Sequence, residues 1–250
     1  MSMKSDQPDM NRRKLLGTTL AASGAVVVAP GVLLHGVAGA GTATEGASSK
    51  HRWGMLIDAN KCADGCSACV DACNQEHGLT SHGRPETDAQ WIRTVKLRDL
   101  HTGRENRLVM MCQHCETPPC VDVCPTGASF KRADGIVLVD RHRCIGCRYC
   151  MMACPYKARS FVHETLENQS INQPRGKGCV EGCTLCVHRI DRGELVTACQ
   201  EACAKEGHNA ILFGDLNDPE SDLSEALREH NSQQIRADLK LNTGVRYTNI

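Results

Sequence analysis

The chain has 250 residues, a formal net charge of zero and 17 cysteines. The charge balance offers no basic face for nucleic acid and no acidic tail, and 3% aromatics leave little bulk for a side-chain core. So many cysteines restrict the chain to a disulfide scaffold, a zinc protein or an iron–sulfur protein. Metal groups held by those thiols would supply the missing interior, because metal binding contributes folding free energy.

The first 40 residues read as an address rather than as fold. Asn11-Arg12-Arg13-Lys14-Leu15-Leu16 sets two arginines ahead of a Gly- and Ala-rich apolar stretch from Leu15 to Leu34. Ala38-Gly39-Ala40 then offers small residues for cleavage. This is the layout of a twin-arginine export signal over residues 1–40. Asn11 and Leu15 depart from the Ser/Thr and Phe common at their places. A membrane anchor is the competing reading, but Gly, Thr, Ser and Pro30 dilute the run below a good spanning helix. Twin-arginine export carries folded chains, which suits a cofactor inserted in the cytoplasm, so the expected location is the periplasm. Without residues 1–40 the chain keeps 25 basic and 27 acidic side chains. Residues 41–50 are expected to be linker.

Beyond residue 50, short strands alternate with cysteine groups. Trp53–Asp58 is an apolar run leading into the first group, Cys62, Cys66, Cys69 and Cys73, spaced C-x3-C-x2-C-x3-C. Trp91–Leu97 alternates and predicts a strand, with Leu108–Met111 as its hairpin partner across Thr102-Gly103. The second group follows as Cys112, Cys115, Cys120 and Cys124, with Pro118-Pro119 stiffening its two-residue insertion. Ile136–Val139, after Asp134-Gly135, leads into the third group, Cys144, Cys147, Cys150 and Cys154. Ser160–His163 follows that group. The fourth is Cys183, Cys186, Cys199 and Cys203, with Cys179 just ahead and Ala210–Phe213 after it. Ser221 is placed to cap a helix over Asp222–His230. Residues 231–250 are polar and are expected on the surface, either docked on a partner or frayed.

The third group carries the most information. Its C-x2-C-x2-C-x3-C run followed by Pro155 is the bacterial ferredoxin spacing, in which the fourth cysteine serves a different cluster from the first three. Three thiolates on a tight loop each reach one iron, and the fourth iron takes its ligand from a distant motif. Zinc sites use two close pairs rather than a triplet plus one. Disulfides within C-x2-C-x2-C would be strained. Sixteen cysteines fall into four such quartets, and Cys179 is left over, as a spectator thiol or a replacement for Cys183. His114 stands inside a complete quartet, so it is expected beside the site or at the surface. His77, His82 and His101 are expected in solvated loops, and Arg84-Pro85 and Gln173–Lys177 as linkers. Arg148 and Lys157 flank the third group, where they either tune its potential or are plain surface charges. No phosphate loop, flavin fingerprint or nucleophile–base arrangement appears, so an electron carrier rather than an enzyme is expected, with no catalytic residue.

The segments Cys112-Gln113-His114-Cys115-Glu116-Thr117-Pro118-Pro119-Cys120 and Cys144-Ile145-Gly146-Cys147-Arg148-Tyr149-Cys150-Met151-Met152-Ala153-Cys154-Pro155-Tyr156 resemble the four-cluster iron–sulfur subunits of bacterial membrane-bound oxidoreductases. That family includes the electron-transfer subunits of polysulfide, nitrite and dimethyl sulfoxide reductases. Gly214-Asp215-Leu216-Asn217-Asp218-Pro219 belongs to the same pattern, and the resemblance covers residues 51–220. Cys62-Ala63-Asp64-Gly65-Cys66, the stretch Gly178–Arg189 and the export signal are similar to the periplasmic branch that works with dissimilatory sulfite reductase. Asn74 and Ala204 stand where proline is common, which bears on loop geometry rather than on ligands.

The resemblance implies an α+β fold of tandem bacterial 2×[4Fe–4S] ferredoxin-like modules, loop-rich and with inserted hairpins, over 51–220, and a C-terminal helix and tail over 221–250. It implies four [4Fe–4S] clusters with ligands exchanged between motifs. Cys112, Cys115 and Cys120 would pair with Cys154, and Cys144, Cys147 and Cys150 with Cys124. Cys62, Cys66 and Cys69 would pair with Cys203, and Cys183, Cys186 and Cys199 with Cys73. It further implies a relay in dissimilatory sulfur metabolism between a quinone-reactive integral membrane subunit and a multihaem cytochrome or reductase subunit, with membrane association only through partners. The iron–sulfur subunit of a molybdenum-containing polysulfide, thiosulfate or nitrite-type reductase is the alternative within the class. A zinc-stabilised interaction module and a secreted disulfide protein are the alternatives outside it.

Overall fold

A computed structural model describes residues 25–29, 32–35, 47–98, 100–103, 105–167, 169 and 174–250. The chain divides into two units, Met1–Thr44 and Glu45–Ile250. In the first, β1 (Ala25–Ala29) pairs antiparallel with β2 (Val32–His35). The twin-arginine pair Arg12-Arg13, the cleavage segment Ala38-Gly39-Ala40 and most of the 41–50 linker lie outside the described residues, as does Gln173. Among the described residues, no helix is long and apolar enough to cross a membrane.

The second unit begins with β3 (Trp53–Asp58) and α1 (Ala68–His77). A hairpin of β4 (Ile92–Arg98) and β5 (Glu105–Met111) follows, in the register Ile92 to Met111 through Arg98 to Glu105. Next come α2 (Pro119–Asp122), β6 (Ser129–Lys131), β7 (Val137–Val139) and α3 (Tyr149–Ala153). The short strands β8 (Ser160–Phe161) and β9 (Val180–Glu181) pair with each other. The chain continues through α4 (Val187–Ile190), α5 (Ala198–Lys205), β10 (Ile211–Asp215) and α6 (Asp222–Glu229), and ends with β11 (Ser232–Gln233) and β12 (Val245–Thr248). The unit is thus a mixture of short helices and small sheets, with long loops between them.

The expected runs at Trp53–Asp58, Trp91–Leu97 with Leu108–Met111, Ile136–Val139, Ser160–His163 and Ala210–Phe213 all carry strands. Ser221 caps α6, its hydroxyl accepting from the Ser224 N–H at 3.2 Å. The C-terminal tail differs from the expected surface wrap. Its last strand, β12, lies parallel to β3 in the order β10-β3-β12-β11, and Val245 and Tyr247 are fully buried. Alternation explains the burial, since Val245 and Tyr247 share one face of the strand. Gly54 makes the insertion possible: a Cβ there would meet the Gly244 carbonyl at 2.7 Å and Leu216 at 2.6 Å.

The interior has two cores. One gathers Met55, Ile57, Trp91, Phe213 and Tyr247 with Cys69, Cys73, Cys199 and Cys203, and Cys62 packs against it. The other gathers Val137, Tyr156, Ala158 and Val180 with Cys112, Cys115, Cys120, Cys150 and Cys154, and Cys144 packs against it. Cys183 packs against both. The cysteines are therefore part of the packing, as the low aromatic content suggests.

Candidate metal centre

Each cysteine motif pairs a tight loop with a short helix. On α1, Cys69 and Cys73 are four residues apart and so share a face; on α5, Cys199 and Cys203 do the same. The two helices pack against each other. Thr197 caps α5, accepting from Gln200 N–H at 3.4 Å. Pro119 opens α2, where its fixed φ suits the first helical turn. The loops turn through left-handed residues: His114 at φ 43, Arg148 at 64, Leu185 at 52 and Cys186 at 51. Gly146, at φ 70, has no room for a side chain, because a Cβ would overlap the Gly178 carbonyl oxygen.

The cysteines meet across motifs. Burial pushes the Cys62 thiol up, and Cys203 and Cys66 act on it electrostatically. Burial takes Cys69 to about 12, with Cys199, Cys62, Cys203 and Cys66 adding to the rise. Cys73, the last of the first motif, is raised by burial and then by Cys183, Cys199 and Cys186 of the fourth. Cys115 reaches about 12 through burial and its neighbours Cys112, Cys120 and Cys154. Cys150 reaches about 11 through burial, with Cys120, Cys144 and Cys124 adding to it. Cys124, Cys144, Cys147 and Cys150 line one hollow with Val139 and Val180. Cys147 is exposed, whereas Cys112, Cys115, Cys120 and Cys154 are all buried.

Donors converge on the sulfurs. Backbone N–H groups of Ser129, Val180, Leu185 and Ala210 point at Cys124, Cys144, Cys183 and Cys203 at 3.3–3.5 Å. The Thr197 hydroxyl lies 3.3 Å from Cys199, and a guanidinium nitrogen of Arg159 lies 3.3 Å from Cys120. Such bonds stabilise thiolate charge and tune the potential of iron–sulfur groups.

Histidines fill specific places. His77, expected in a solvated loop, is instead 2% exposed. It lies four residues after Cys73 on the buried face of α1 and packs its ring, tilted by 34°, against Trp91 at 4.6 Å. Its Nε2 lies 3.7 Å from Cys186 Sγ, and burial holds its pKa down to about 3. The i+4 spacing is the sequence signal for this placement. His114 is buried too, its Nδ1 accepting from Val137 N–H at 3.0 Å. His82 and His101 are exposed. Arg148 stacks over Phe161 at 3.8 Å, and Lys157 is exposed. Cys179 donates to the Arg141 carbonyl at 3.4 Å and lies against Cys144, in the third group's neighbourhood rather than the fourth's.

All 17 cysteines are free thiols. Among the described residues, no three His, Cys, Asp or Glu side chains are arranged to hold a single metal ion. A zinc site gathers its ligands around one ion; an iron–sulfur cluster spreads four thiolates over several irons. Cysteines that are mostly buried or half-buried, with backbone N–H donors at Cys124, Cys144, Cys183 and Cys203, suit the latter.

The profile of the 4Fe-4S dicluster domain family matches residues 106–215. The Hdr-like menaquinol oxidoreductase iron-sulfur subunit 1 of Archaeoglobus fulgidus is 40% identical, over 96% of this chain and 98% of that protein. A tetrathionate reductase subunit of Salmonella typhimurium is 39% identical, over 73% of this chain and 66% of its own. The iron-sulfur cluster-binding subunit of menaquinone reductase from Nitratidesulfovibrio vulgaris is 35% identical, over 68% and 78%. The chain belongs to the family of iron–sulfur electron-transfer subunits of oxidoreductase complexes, as an electron carrier with [4Fe–4S] clusters.

Proposed function

We propose that this chain relays electrons through four [4Fe–4S] clusters arranged as tandem ferredoxin-like modules over residues 51–220. The proposed sets are Cys62, Cys66 and Cys69 with Cys203; Cys183, Cys186 and Cys199 with Cys73; Cys112, Cys115 and Cys120 with Cys154; and Cys144, Cys147 and Cys150 with Cys124. One observation carries the reading: the last cysteine of each motif has its neighbours in another motif, as Cys73 has with Cys183, Cys186 and Cys199. When bound, such clusters each take up and release one electron. Contacts between sets suggest an order. Cys69 feels Cys199, Cys183 feels Cys112, and Cys150 feels Cys120, so the sets form a row with Cys147 at one exposed end.

The partners we propose are a quinone-reactive integral membrane subunit and a cytochrome or reductase subunit. The menaquinol oxidoreductase and menaquinone reductase relatives support the first. Ile145, Tyr149 and Met152 are 66%, 53% and 67% exposed around Cys147, which supports a docking face at that end. The tetrathionate reductase relative supports a place in sulfur metabolism. Residues 1–40 support export to the periplasm by the twin-arginine route.

Anaerobic purification of the full chain is expected to yield about sixteen irons per chain by the quartet count; about eight would refute the four-cluster reading. Cys154→Ser should remove the cluster held by the second motif and spare that of the third, with Cys124→Ser doing the converse. Replacing Arg12 and Arg13 by lysine should retain the chain in the cytoplasm; unchanged export would refute the route.

A further inference from the structure

Arg159 is 7% exposed and lies five residues beyond the last cysteine of the third motif. Its Nη2 donates to Cys120 Sγ and to Ser129 Oγ, both at 3.3 Å. The charges acting on it most strongly are Cys112, Cys120 and Cys150, and none of these is a carboxylate. Cys120 belongs to the second motif and Cys150 to the third, so one guanidinium spans both quartets of that core. Its stem packs at the segment where a Cβ on Gly182 would come within 3.5 Å of Arg159 Cδ.

A buried cation without a counter-charge is costly. Free thiols are largely protonated at neutral pH and offer little compensation. The same thiols bound to iron carry net negative charge, and reduction adds one more negative charge beside the guanidinium. A fixed positive charge favours the more negative state, so it raises the reduction potential of what it faces.

We propose that Arg159 is a positioning residue that supplies the counter-charge for the quartets of the second and third motifs and raises their potentials. This rests on the four-cluster reading and goes beyond it. The other core has neighbours of its own: Arg107 acts on Cys62, and His77 Nε2 stands 3.7 Å from Cys186. Arg159 therefore acts on its own half of the relay.

The test is redox titration of the full chain followed by electron paramagnetic resonance, for wild type, Arg159→Gln and Arg159→Lys. Cys154→Ser and Cys124→Ser assign the signals to motifs. In Arg159→Gln the second- and third-motif signals should move to lower potential by at least tenfold in their one-electron equilibrium constant, about 59 mV, while the other two stay. Arg159→Lys keeps the charge and should recover most of the shift, though not the planar fork. Loss of those two clusters in Arg159→Gln with retention in Arg159→Lys also supports the proposal. Unmoved potentials with full iron, equal shifts of all four signals, loss of iron in both variants, or Arg159→Lys tracking Arg159→Gln would overturn it. A wild-type chain with fewer than four signals would refute the cluster count, not the role of Arg159 at the motifs that remain.

Discussion

Glu76 ties the first motif to the fourth, and its replacement should loosen that half of the molecule by a predictable amount. The side chain sits on α1 and is 20% exposed. Arg189 of α4 donates to both of its oxygens, at 2.9 and 2.6 Å, and His188 Nε2 lies at 2.6 Å. Arg189 also reaches Glu201 of α5 at 3.0 Å. The Arg189 hydrogen bond, with that of His188 and against the opposing push of burial, holds Glu76 at about 2, below its ordinary 4.5. At roughly 1.4 kcal/mol for each tenfold, the gap corresponds to about 3 kcal/mol of stability. The folded-state value is depressed, so this contribution is fully present above pH 4.5 and is lost as the pH falls toward 2. For a unit of this size, about 2–4 °C is lost per kcal/mol. Glu76→Gln should therefore lower the temperature at which visible absorption bleaches by roughly 6–12 °C. The difference should be present above about pH 5.5, where Glu76 is charged in both states, and should shrink as the pH falls toward 2. A difference below about 2 °C above about pH 5.5, or one that does not shrink in acid, would refute the assignment of the stabilisation to the Glu76 carboxylate.

Three further outcomes follow from the geometry. Gly146→Ala places a Cβ against the Gly178 carbonyl at a positive φ and should destabilise the third-motif loop by about 1–3 kcal/mol, read as faster iron loss to a chelator. Cys179→Ser should leave iron content and the visible spectrum unchanged, since Cys179 bonds a carbonyl and stands outside the fourth group; loss of iron would make it a ligand. Tyr247→Phe removes a hydroxyl that donates to the Val109 carbonyl and accepts from Gln113, both at 3.0 Å. The expected cost is about 1–2 kcal/mol, measured as a lower denaturant midpoint.

Much of the site is readable because cysteine spacing is a local property. The four-residue step of C-x3-C puts Cys69 with Cys73, and Cys199 with Cys203, on single helix faces, and the structure carries them on α1 and α5. Strands flanking the motifs are readable from alternation and from Asp-Gly and Thr-Gly turns. Tertiary packing sets the rest. Arg159 looks like any surface arginine until the fold buries it against Cys120 and Ser129. His77 sits in a polar stretch, and only its step of four from Cys73 marks it as interior. The Glu76–Arg189 pair joins residues 113 positions apart. The tail reads as peripheral because its polar residues outnumber Val245 and Tyr247, the two that decide its position.

The place of β12 ties two distant parts of the chain together. β3 precedes the first motif, yet its parallel neighbour is drawn from residues 245–248. Just ahead of that strand, Gly244 N–H bonds the Gln113 carbonyl, between the first two cysteines of the second motif, at 2.8 Å. The segment that completes the central sheet thus also braces a cysteine loop, so a cut ahead of residue 243 should open both at once.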